Sequence, residues 1–264
     1  MARLDDEAHH PSAARIDGTD ETREDQQRTV RLRASFYERY PSLLSEMLES
    51  WARPSVGCRV SLMHAANYLF ATRGVRWAVD PLLPDSILPD FPERPQPVRL
   101  DGLSFVLLTH AHSDHLDHAL LADLRDRAVR FVIPEHMREE VIESAGLRDG
   151  QVIIARPAQR LELHGIGILP FAGLHWRDDP DARRGTDATG YLVEVGGRRW
   201  LFPGDVRDYD AGAVARFAPV DTLYAHLWLG RGRALEPEPP ELDAFCEFMR
   251  ATEPGRVVLT HLYE

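Results

Sequence analysis

The fold of this chain is decided by one stretch of sequence, Leu108-Thr109-His110-Ala111-His112-Ser113-Asp114-His115-Leu116-Asp117. An apolar run, Phe105–Leu108, leads into it and predicts a buried strand, and a helical pattern over Leu116–Asp126 follows it. Three imidazoles and one carboxylate fall within six residues, and borderline divalent cations such as zinc prefer these donors. Because a strand-to-helix turn can direct alternate side chains toward two neighbouring points, the stretch predicts a metal centre.

Short β-type runs alternate with helical segments along the rest of the chain. The predicted strands, besides Phe105–Leu108, are Arg59–Met63, Tyr68–Thr72, Val75–Val79, Arg130–Ile133, Val152–Ala155, Ile166–Pro170, Tyr191–Val195, Trp200–Phe202, Thr222–Tyr224 and Val257–Thr260. The predicted helices, besides Leu116–Asp126, are Glu135–Ser144, Ala211–Phe217 and Pro240–Ala251. Two β-rich halves with outer helices would bury this pattern as an α/β fold, a four-layer α/β/β/α sandwich.

The N-terminal segment differs in composition from the rest of the chain. Residues 1–29 are mostly polar and charged and are predicted to lack fixed structure, residues 30–55 to form a helical extension, and residues 56–264 to form the main domain. Pro41 is predicted to split the extension, and Ser42–Trp51 is predicted to be an amphipathic helix. We expect its apolar face to pack on the main domain or on a second copy of the chain, as a homo-oligomer. That face consists of Leu43, Leu44, Met47, Leu48 and Trp51.

Composition excludes several classes of protein. The 31 basic and 42 acidic residues give a net charge of −11, which argues against a nucleic-acid partner. No apolar run approaches the ~20 residues of a membrane-spanning helix, and the first 29 residues lack the apolar stretch of a secretory signal. Two cysteines, Cys58 and Cys246, cannot form a disulfide scaffold. We therefore expect a cytoplasmic protein whose two thiols are reduced and buried.

The histidine-rich stretch resembles the H-x-H-x-D-H signature of the metallo-β-lactamase superfamily. That family takes three further ligands from loops that follow distant strands, and His175, Asp205 and His261 stand in those places here. The resemblance spans residues 58–261 and implies two metal ions, most simply zinc, with iron or manganese as alternatives. It implies one ion on His110, His112 and His175, a second on Asp114, His115 and His261, and Asp205 as the bridge between them.

Two further features narrow the resemblance. The β-lactamases proper place a cysteine or serine near position 205, whereas Asp205 resembles the two-metal hydrolases such as glyoxalase II, ribonuclease Z and the lactonases. Upstream, Met63-His64-Ala65-Ala66-Asn67 and Val79-Asp80-Pro81 resemble the branch that contains ascorbate-6-phosphate lactonase and the N-acyl-phosphatidylethanolamine phospholipases D. In that branch the first hairpin often reads Gly-His-Ala-Ser, so Met63 and Ala66 depart from it.

Several residues outside the ligand set are candidates for lesser roles. His64 is interpreted as a substrate contact or as a hydrogen-bonded histidine of the first hairpin, and His226 as a group that holds substrate. Asp80 and Asp117 are expected to orient bound imidazoles. The candidate rims of the site are residues 92–97, 177–187 and 231–239, and in the last of these Arg231 and Arg233 either pair with an anionic group or stay solvated.

The predicted activity is that of a binuclear metal-dependent hydrolase. Two cations lower the pKa of a shared water, and the resulting bridging hydroxide would attack an ester, lactone, amide or phosphodiester of a small molecule, which can be anionic. Asp114, Asp205, His226 and His64 are the predicted catalytic residues, and the two aspartates would also pass a proton to the leaving group. One alternative is a di-iron redox or oxygen-dependent enzyme on the same fold. Another is a non-catalytic, metal-stabilised binding module, although structural zinc needs only four ligands.

Overall fold

A computed structural model of the chain describes residues 20–54, 56–83, 85, 100–175, 187–228 and 241–261. The chain divides into two compact units, residues 1–43 and residues 44–264, and the strands belong to the second. The helices are α1 (Asp20–Ala52), α2 (His118–Leu124), α3 (Arg138–Ala145), α4 (Ala211–Ala215) and α5 (Glu241–Ala251). The strands are β1 (Cys58–Leu62), β2 (Tyr68–Thr72), β3 (Val75–Val79), β4 (Leu103–Leu107), β5 (Arg130–Ile133), β6 (Val152–Ile154), β7 (Leu161–Leu163), β8 (Ile166–Ala172), β9 (Thr189–Val195), β10 (Arg198–Phe202), β11 (Thr222–His226) and β12 (Val257–Thr260).

The strands form two six-stranded mixed sheets. The first has the order β1-β2-β3-β4-β5-β6, in which β3 to β6 are parallel and β1 to β3 form antiparallel hairpins. The second has the order β12-β11-β10-β9-β8-β7, in which β10, β11 and β12 are parallel and the remaining pairs antiparallel. In the second sheet, β8 therefore runs in the same direction as β10, β11 and β12.

Three separate apolar clusters define four layers. The middle cluster lies between the sheets and is aromatic: the Phe70 and Trp77 rings stack at 4.1 Å, and the Phe202 and Tyr224 rings at 4.3 Å. A second cluster joins the end of α1, α2 and α3 to the outer face of the first sheet. A third joins α4 and α5 to the outer face of the second sheet. The predicted α/β/β/α sandwich is confirmed.

Helix α1 differs from the prediction in three ways. It begins at Asp20 rather than Val30, and it continues through Pro41. A proline removes one backbone donor from a helix, and good helix formers such as Arg39, Leu44 and Glu46 stand on both sides of it. The predicted split is therefore wrong. Leu43 is 43% exposed, so it does not belong to the packed face as predicted.

The end of α1 is part of the second unit's core. Trp51 is fully buried, and its Nε1 donates a hydrogen bond to the backbone oxygen of Phe70 at 3.0 Å. Leu44, Met47 and Leu48 pack against the same cluster. This part of the helical extension therefore packs on the main domain, the first of the two partners that the sequence suggested. Residues 1–19 lie outside the described residues.

Smaller differences concern short elements and the thiols. The strand β7 was not predicted, because three residues are too few to show an alternation of apolar and polar side chains. Cys58 is exposed and Cys246 only half-buried, so the expectation of buried cysteines is wrong: Cys58 lies on the edge strand β1, which has only one neighbour.

Among the described residues, we find no helix with the length and apolar composition that a membrane crossing requires.

Candidate metal centre

The candidate ligands lie where strands end. In the second sheet the carboxyl ends of β8, β10, β11 and β12 share one edge, because these strands run in the same direction. The loop after β4 in the first sheet supplies the histidine-rich stretch. The side chains supplied after β8, β10 and β12 and at the end of β11 are His175, Asp205, His261 and His226, respectively.

The first group of donors consists of His110, His112, His175 and Asp205, whose ligand atoms all lie within 4.8 Å of one another. The Nε2 of His110 lies 3.1 Å from Nδ1 of His112 and 3.9 Å from Oδ2 of Asp205. Both ring nitrogens of His175 are buried without a hydrogen-bond partner in the described part of the chain. Because a buried polar atom without a partner destabilises a fold, this arrangement fits a bound cation.

The second group consists of Asp114, His115 and His261. The Nε2 atoms of His115 and His261 lie 3.0 Å apart, and each lies 3.1 Å from Oδ1 of Asp205. Oδ2 of Asp114 lies 3.9 Å from Nε2 of His261. Asp205 thus directs Oδ2 toward the first group and Oδ1 toward the second. The cluster is compatible with a binuclear metal site.

His226 lies inside the donor cluster and is buried. Its Nε2 lies 3.9 Å from Oδ2 of Asp205, and Asp205, His226 and His261 form a third set of converging donors. Its Nδ1 lies 2.7 Å from the backbone nitrogen and 2.8 Å from the backbone oxygen of Val206, so the backbone fixes the ring. Burial disfavours the charged form of Asp205, but His226, His115 and His261 outweigh it and hold the pKa of Asp205 well below its usual range.

Asp80 contacts His115 directly and His110 through Thr109, in both cases on the Nδ1 side of the ring. Its Oδ2 lies 2.8 Å from Nδ1 of His115 and accepts a hydrogen bond from the hydroxyl of Thr109 at 2.6 Å. That hydroxyl also lies 2.9 Å from Nδ1 of His110. Because the single hydroxyl proton goes to Asp80, Nδ1 of His110 must donate to the hydroxyl. Both histidines therefore present Nε2 to the cluster, as a carboxylate behind a metal-binding imidazole requires.

The imidazoles of the cluster differ in protonation. Burial lowers the pKa of His175 to about 4, and burial with the neighbouring His115 lowers the pKa of His110 far below 6.5. Burial also acts to lower the pKa of His115, but Asp205 and Asp80 outweigh it and raise that pKa well above 6.5. At neutral pH the first group therefore offers lone pairs, whereas His115 holds a proton that a cation must displace.

Asn67 joins the first hairpin to the histidine-rich stretch. The fully buried side-chain amide donates to the backbone oxygens of Asp80 at 2.7 Å and Asp114 at 2.8 Å, and its Oδ1 accepts from the backbone of Ala65. His64 is half-buried; burial lowers its pKa, while Asp114 raises it. His64 therefore lies within electrostatic reach of the second group, and its predicted contact with substrate stays a prediction.

Asp117 has a different role from the predicted one, and other predicted residues lie in parts of the chain that the structure does not describe. Asp117, expected to orient an imidazole, instead accepts hydrogen bonds from the backbone of Leu120 at 2.9 Å and Leu83 at 3.1 Å, and so caps α2. Arg231, Arg233 and residues 92–97, 177–186 and 231–239 lie outside the described residues, so their predicted roles stay predictions.

Glycines shape two of the ligand loops. Gly204 precedes Asp205 with a φ of +74°, and a Cβ there would lie 3.4 Å from Cβ of Thr109. At Gly173 a Cβ would lie 2.7 Å from the backbone of Ala188, which precedes β9 and approaches closely because its carbonyl oxygen accepts a hydrogen bond from the Gly173 N–H. A side chain at either position would displace the loop that carries a candidate ligand.

Sequence reasoning did not select Arg207 and Trp228. The guanidinium carbon of Arg207 lies 3.5 Å from the centre of the Trp228 ring. Each residue follows a cluster residue by two positions, Arg207 after Asp205 and Trp228 after His226. That shared spacing was the only available signal, and it does not reveal that two separate loops meet.

A family model described as "Beta-lactamase superfamily domain" matches residues 76–262. This match covers most of the chain and includes all seven predicted ligands. The chain therefore belongs to the beta-lactamase superfamily, and its two sheets have the metallo-β-lactamase fold.

Proteins similar to this chain include a hydroxylase and a putative hydrolase. A Streptomyces venezuelae protein, 4-amino-L-phenylalanyl-[CmlP-peptidyl-carrier-protein] 3-hydroxylase, is 28% identical over 171 residues, which is 58% of this chain and 30% of that protein. The crystal structure of CmlA, a diiron beta-hydroxylase from the same species, matches 80% of this chain and 45% of its own, with 21% identity and a TM-score of 0.54. A putative metal-dependent hydrolase from Parabacteroides distasonis matches 78% of this chain and 83% of its own, with 14% identity and a TM-score of 0.56. This chain thus spans less than half of the hydroxylase, and the structural matches show the fold alone.

Proposed function

We propose that this protein is a metal-dependent hydrolase with two divalent cations, zinc above all. His110, His112 and His175 would hold one cation, Asp114, His115 and His261 would hold the other, and Asp205 would be a ligand shared by the two groups. The observation that carries the proposal is His175, a buried imidazole with two orphaned nitrogens beside two further imidazoles. Three histidines are the ligand set of a hydrolytic zinc ion, which keeps a further position open.

The remaining residues determine what the site can do to a substrate. When bound, two cations supply a water of lowered pKa and polarise a carbonyl or phosphoryl oxygen. Asp205, whose pKa is low, stays ionised and fixes the separation of the two groups. The Asp114 side chain is 25% exposed, against 3% for Asp205, so Asp114 is the carboxylate that can pass a proton from its Oδ atoms to a leaving group. The substrate class is an ester, lactone, amide or phosphodiester, and the lactonase and phospholipase D branch falls within it.

An iron-dependent oxygenase is the second candidate. It is favoured by the 28% identical hydroxylase and by the set Asp114, His115 and His261, since two histidines and one carboxylate are typical of non-haem iron oxygenases. The three-imidazole group favours the hydrolase. The two candidates make opposite predictions about oxygen consumption.

Metal exchange distinguishes these two activities. Metal-free protein is loaded with zinc, manganese or iron(II), then assayed on an aryl ester, a lactone and a phosphodiester, and for oxygen uptake with a reductant. We expect zinc or manganese to restore hydrolysis, with no oxygen uptake. Oxygen uptake with iron alone, and no hydrolysis with any metal, would overturn the proposal. The His175→Ala variant is expected to lose metal and activity. His118→Ala should keep both, because His118 belongs to neither group of donors and its Nε2 pairs with Glu140 at 3.3 Å.

A further inference from the structure

The loop between β1 and β2 is closed by one buried amide. Its last residue, Asn67, is fully buried, and the side-chain oxygen of Asn67 accepts a hydrogen bond from the backbone nitrogen of Ala65 at 3.0 Å. The backbone oxygen of Asn67 accepts a second bond, from the nitrogen of Met63 at 2.7 Å. Asparagine side chains often fix turns by bonding to the neighbouring backbone in this way. The shape of this loop therefore depends on Asn67.

The nitrogen of the same side chain reaches two further parts of the chain. It donates to the backbone oxygens of Asp80 at 2.7 Å and Asp114 at 2.8 Å. Because these two partners are carbonyl oxygens and the third is an N–H group, only one orientation of the amide satisfies all three bonds. Both N–H donors of the amide are used. An ionised aspartate at this position could not make these two bonds, since a carboxylate only accepts.

These bonds connect the loop to all three donors of the second group. Asp114 is bonded directly, through its backbone oxygen. His115 is reached through Asp80, whose Oδ2 lies 2.8 Å from Nδ1 of the imidazole. The backbone nitrogen of His261 donates to the oxygen of Ala65 at 3.4 Å. The loop thus contacts each donor of the second group either directly or through one intervening residue.

The first group of donors depends less on this amide. The carboxylate of Asp80 also accepts bonds from the backbone nitrogen of Thr109 at 2.7 Å and from its hydroxyl at 2.6 Å, and that hydroxyl lies beside His110. These bonds remain if the amide is removed, so Asp80 and His110 should keep their places. The Asp114 side chain is 25% exposed and is therefore less restrained by burial. Loss of the amide should mainly displace Asp114.

We propose that Asn67 is a positioning residue for the metal ion of the second group: its amide holds Asp114 where the three donors of that group can share one cation. This inference rests on the proposed function and deepens it, because it assigns a residue that controls the occupancy of one of the two metal sites. Asn67 acts through Asp114 and takes no part in bond cleavage. Since Asp114 is also the proposed proton donor to the leaving group, the same amide positions that donor.

Stepwise metal binding tests this inference without any turnover. Metal-free protein is titrated with zinc in a calorimeter and with cobalt(II), whose visible spectrum reports the donors around each bound ion. Asn67→Leu keeps the approximate volume of the side chain but removes its hydrogen bonds. We expect its affinity for one ion to fall about tenfold to a hundredfold, the range for residues that orient metal ligands. Its affinity for the other ion should not change.

Ligand variants identify which site is affected. At one equivalent of cobalt, the spectrum of Asn67→Leu should equal that of His261→Ala, which lacks a donor of the second group. It should differ from the spectrum of His175→Ala, which lacks a donor of the first group. Unchanged affinity for both ions in Asn67→Leu, or an equal loss at both sites, would overturn the inference.

Thr72→Val is the matched control for a purely structural effect. Thr72 is buried at the opposite end of β2 from Asn67, and its hydroxyl accepts a hydrogen bond from Nε1 of Trp77 at 2.9 Å. Loss of this buried hydrogen bond should lower stability, as in Asn67→Leu, but both ions should bind with wild-type affinity. If Thr72→Val weakened the same ion to the same extent, the effect of Asn67 would be one of general stability and the inference would be wrong.

A measurement on the wild type decides the question if Asn67→Leu does not fold. Nitrogen-15 NMR follows the side-chain amide of Asn67 while zinc is added. Its signals should shift when the second group is occupied, and they should not shift when His261→Ala binds its remaining ion. Signals that stay unchanged in the wild type would refute the positioning role. A protein whose second ion depends on Asn67, but which hydrolyses nothing, would instead count against the proposed function.

Discussion

The Nδ1 atom of His115 lies 2.8 Å from Oδ2 of Asp80, and this contact determines which nitrogen His115 presents to the candidate metal centre. Asp80 directly follows β3, while His115 lies in the loop after β4, and the two strands are parallel neighbours. The parallel pairing therefore brings a carboxylate behind the histidine-rich stretch. Asp80 itself has a φ of +42°, a strained conformation for most side chains.

The first prediction concerns this carboxylate. Asp80→Asn keeps the shape and tolerates the left-handed backbone, because asparagine is enriched there, but it removes the charge behind His115. We expect metal affinity to fall about tenfold to a hundredfold, as for other carboxylates behind metal-binding histidines. Competition with a chromophoric chelator measures the metal affinity of each variant. Asp101→Asn is the matched control: Asp101 is exposed and pairs with Arg127. Equal affinities in the two variants would show that Asp80 does not act through His115.

The second prediction concerns Thr109. Its hydroxyl lies between Asp80 and Nδ1 of His110, so Thr109→Val leaves a buried imidazole N–H and a buried carboxylate oxygen each short of a partner. We expect the metal-free protein to lose about 1–3 kcal/mol of unfolding free energy. Urea unfolding measures this loss, and Thr109→Ser, which keeps the hydroxyl, should recover most of it. A valine variant as stable as the wild type would contradict the hydrogen-bond assignment.

The third prediction concerns protonation. The pKa of His115 is raised by Asp205 and Asp80, so metal-free protein should carry a protonated His115 at pH 7, whereas His175, with a pKa of about 4, should be neutral. A raised folded-state pKa stabilises the protein fully below the unfolded value of about 6.5. That stabilisation is lost as the pH rises through the folded-state pKa.

Nitrogen-15 NMR of labelled, metal-free protein measures the protonation states of His115 and His175 directly, with signals assigned from His115→Gln and His175→Gln. The stability difference between the wild type and His115→Gln should be largest below pH about 6.5 and shrink at higher pH. A neutral His115 at pH 7, or a difference that grows with pH, would contradict the electrostatic argument.

The fourth prediction concerns the end of α1. Trp51→Ala removes a fully buried indole and its hydrogen bond to Phe70, and should lower the unfolding free energy by about 3–5 kcal/mol. Leu43→Ala is the control, because Leu43 is 43% exposed and should change stability by less than about 0.5 kcal/mol. Thermal or urea unfolding compares them. If removal of residues 1–52 left the second unit as stable as removal of residues 1–43, the packing role of Trp51 would be refuted.

Much of the fold could be predicted from sequence, since buried strands such as Phe105–Leu108 and amphipathic helices have distinct periodicities. The histidine-rich stretch identified the site because its donors are adjacent in the chain. His261, by contrast, lies 146 residues from His115, and only the family resemblance joined them. Thr109 and Asn67 could not be assigned, because their roles depend on hydrogen bonds between strands that the sequence does not pair.

The stack of Arg207 on Trp228 could not be predicted from the sequence either. Its two residues belong to loops after β10 and β11, and neither shows a periodicity or a motif. The continuation of α1 through Pro41 was also hard to predict, because proline favours a break at its own position whereas the helix formers on both sides favour a continuous helix.

We propose that seven side chains form one centre for two metal ions. Metal content per chain, measured by inductively coupled plasma mass spectrometry on protein without a histidine tag, tests it most directly. We predict about two ions per chain, as the proposed two-metal centre requires, with zinc or manganese predominant. A stoichiometry of one or below, persisting after incubation of the folded protein with excess metal, would contradict the account.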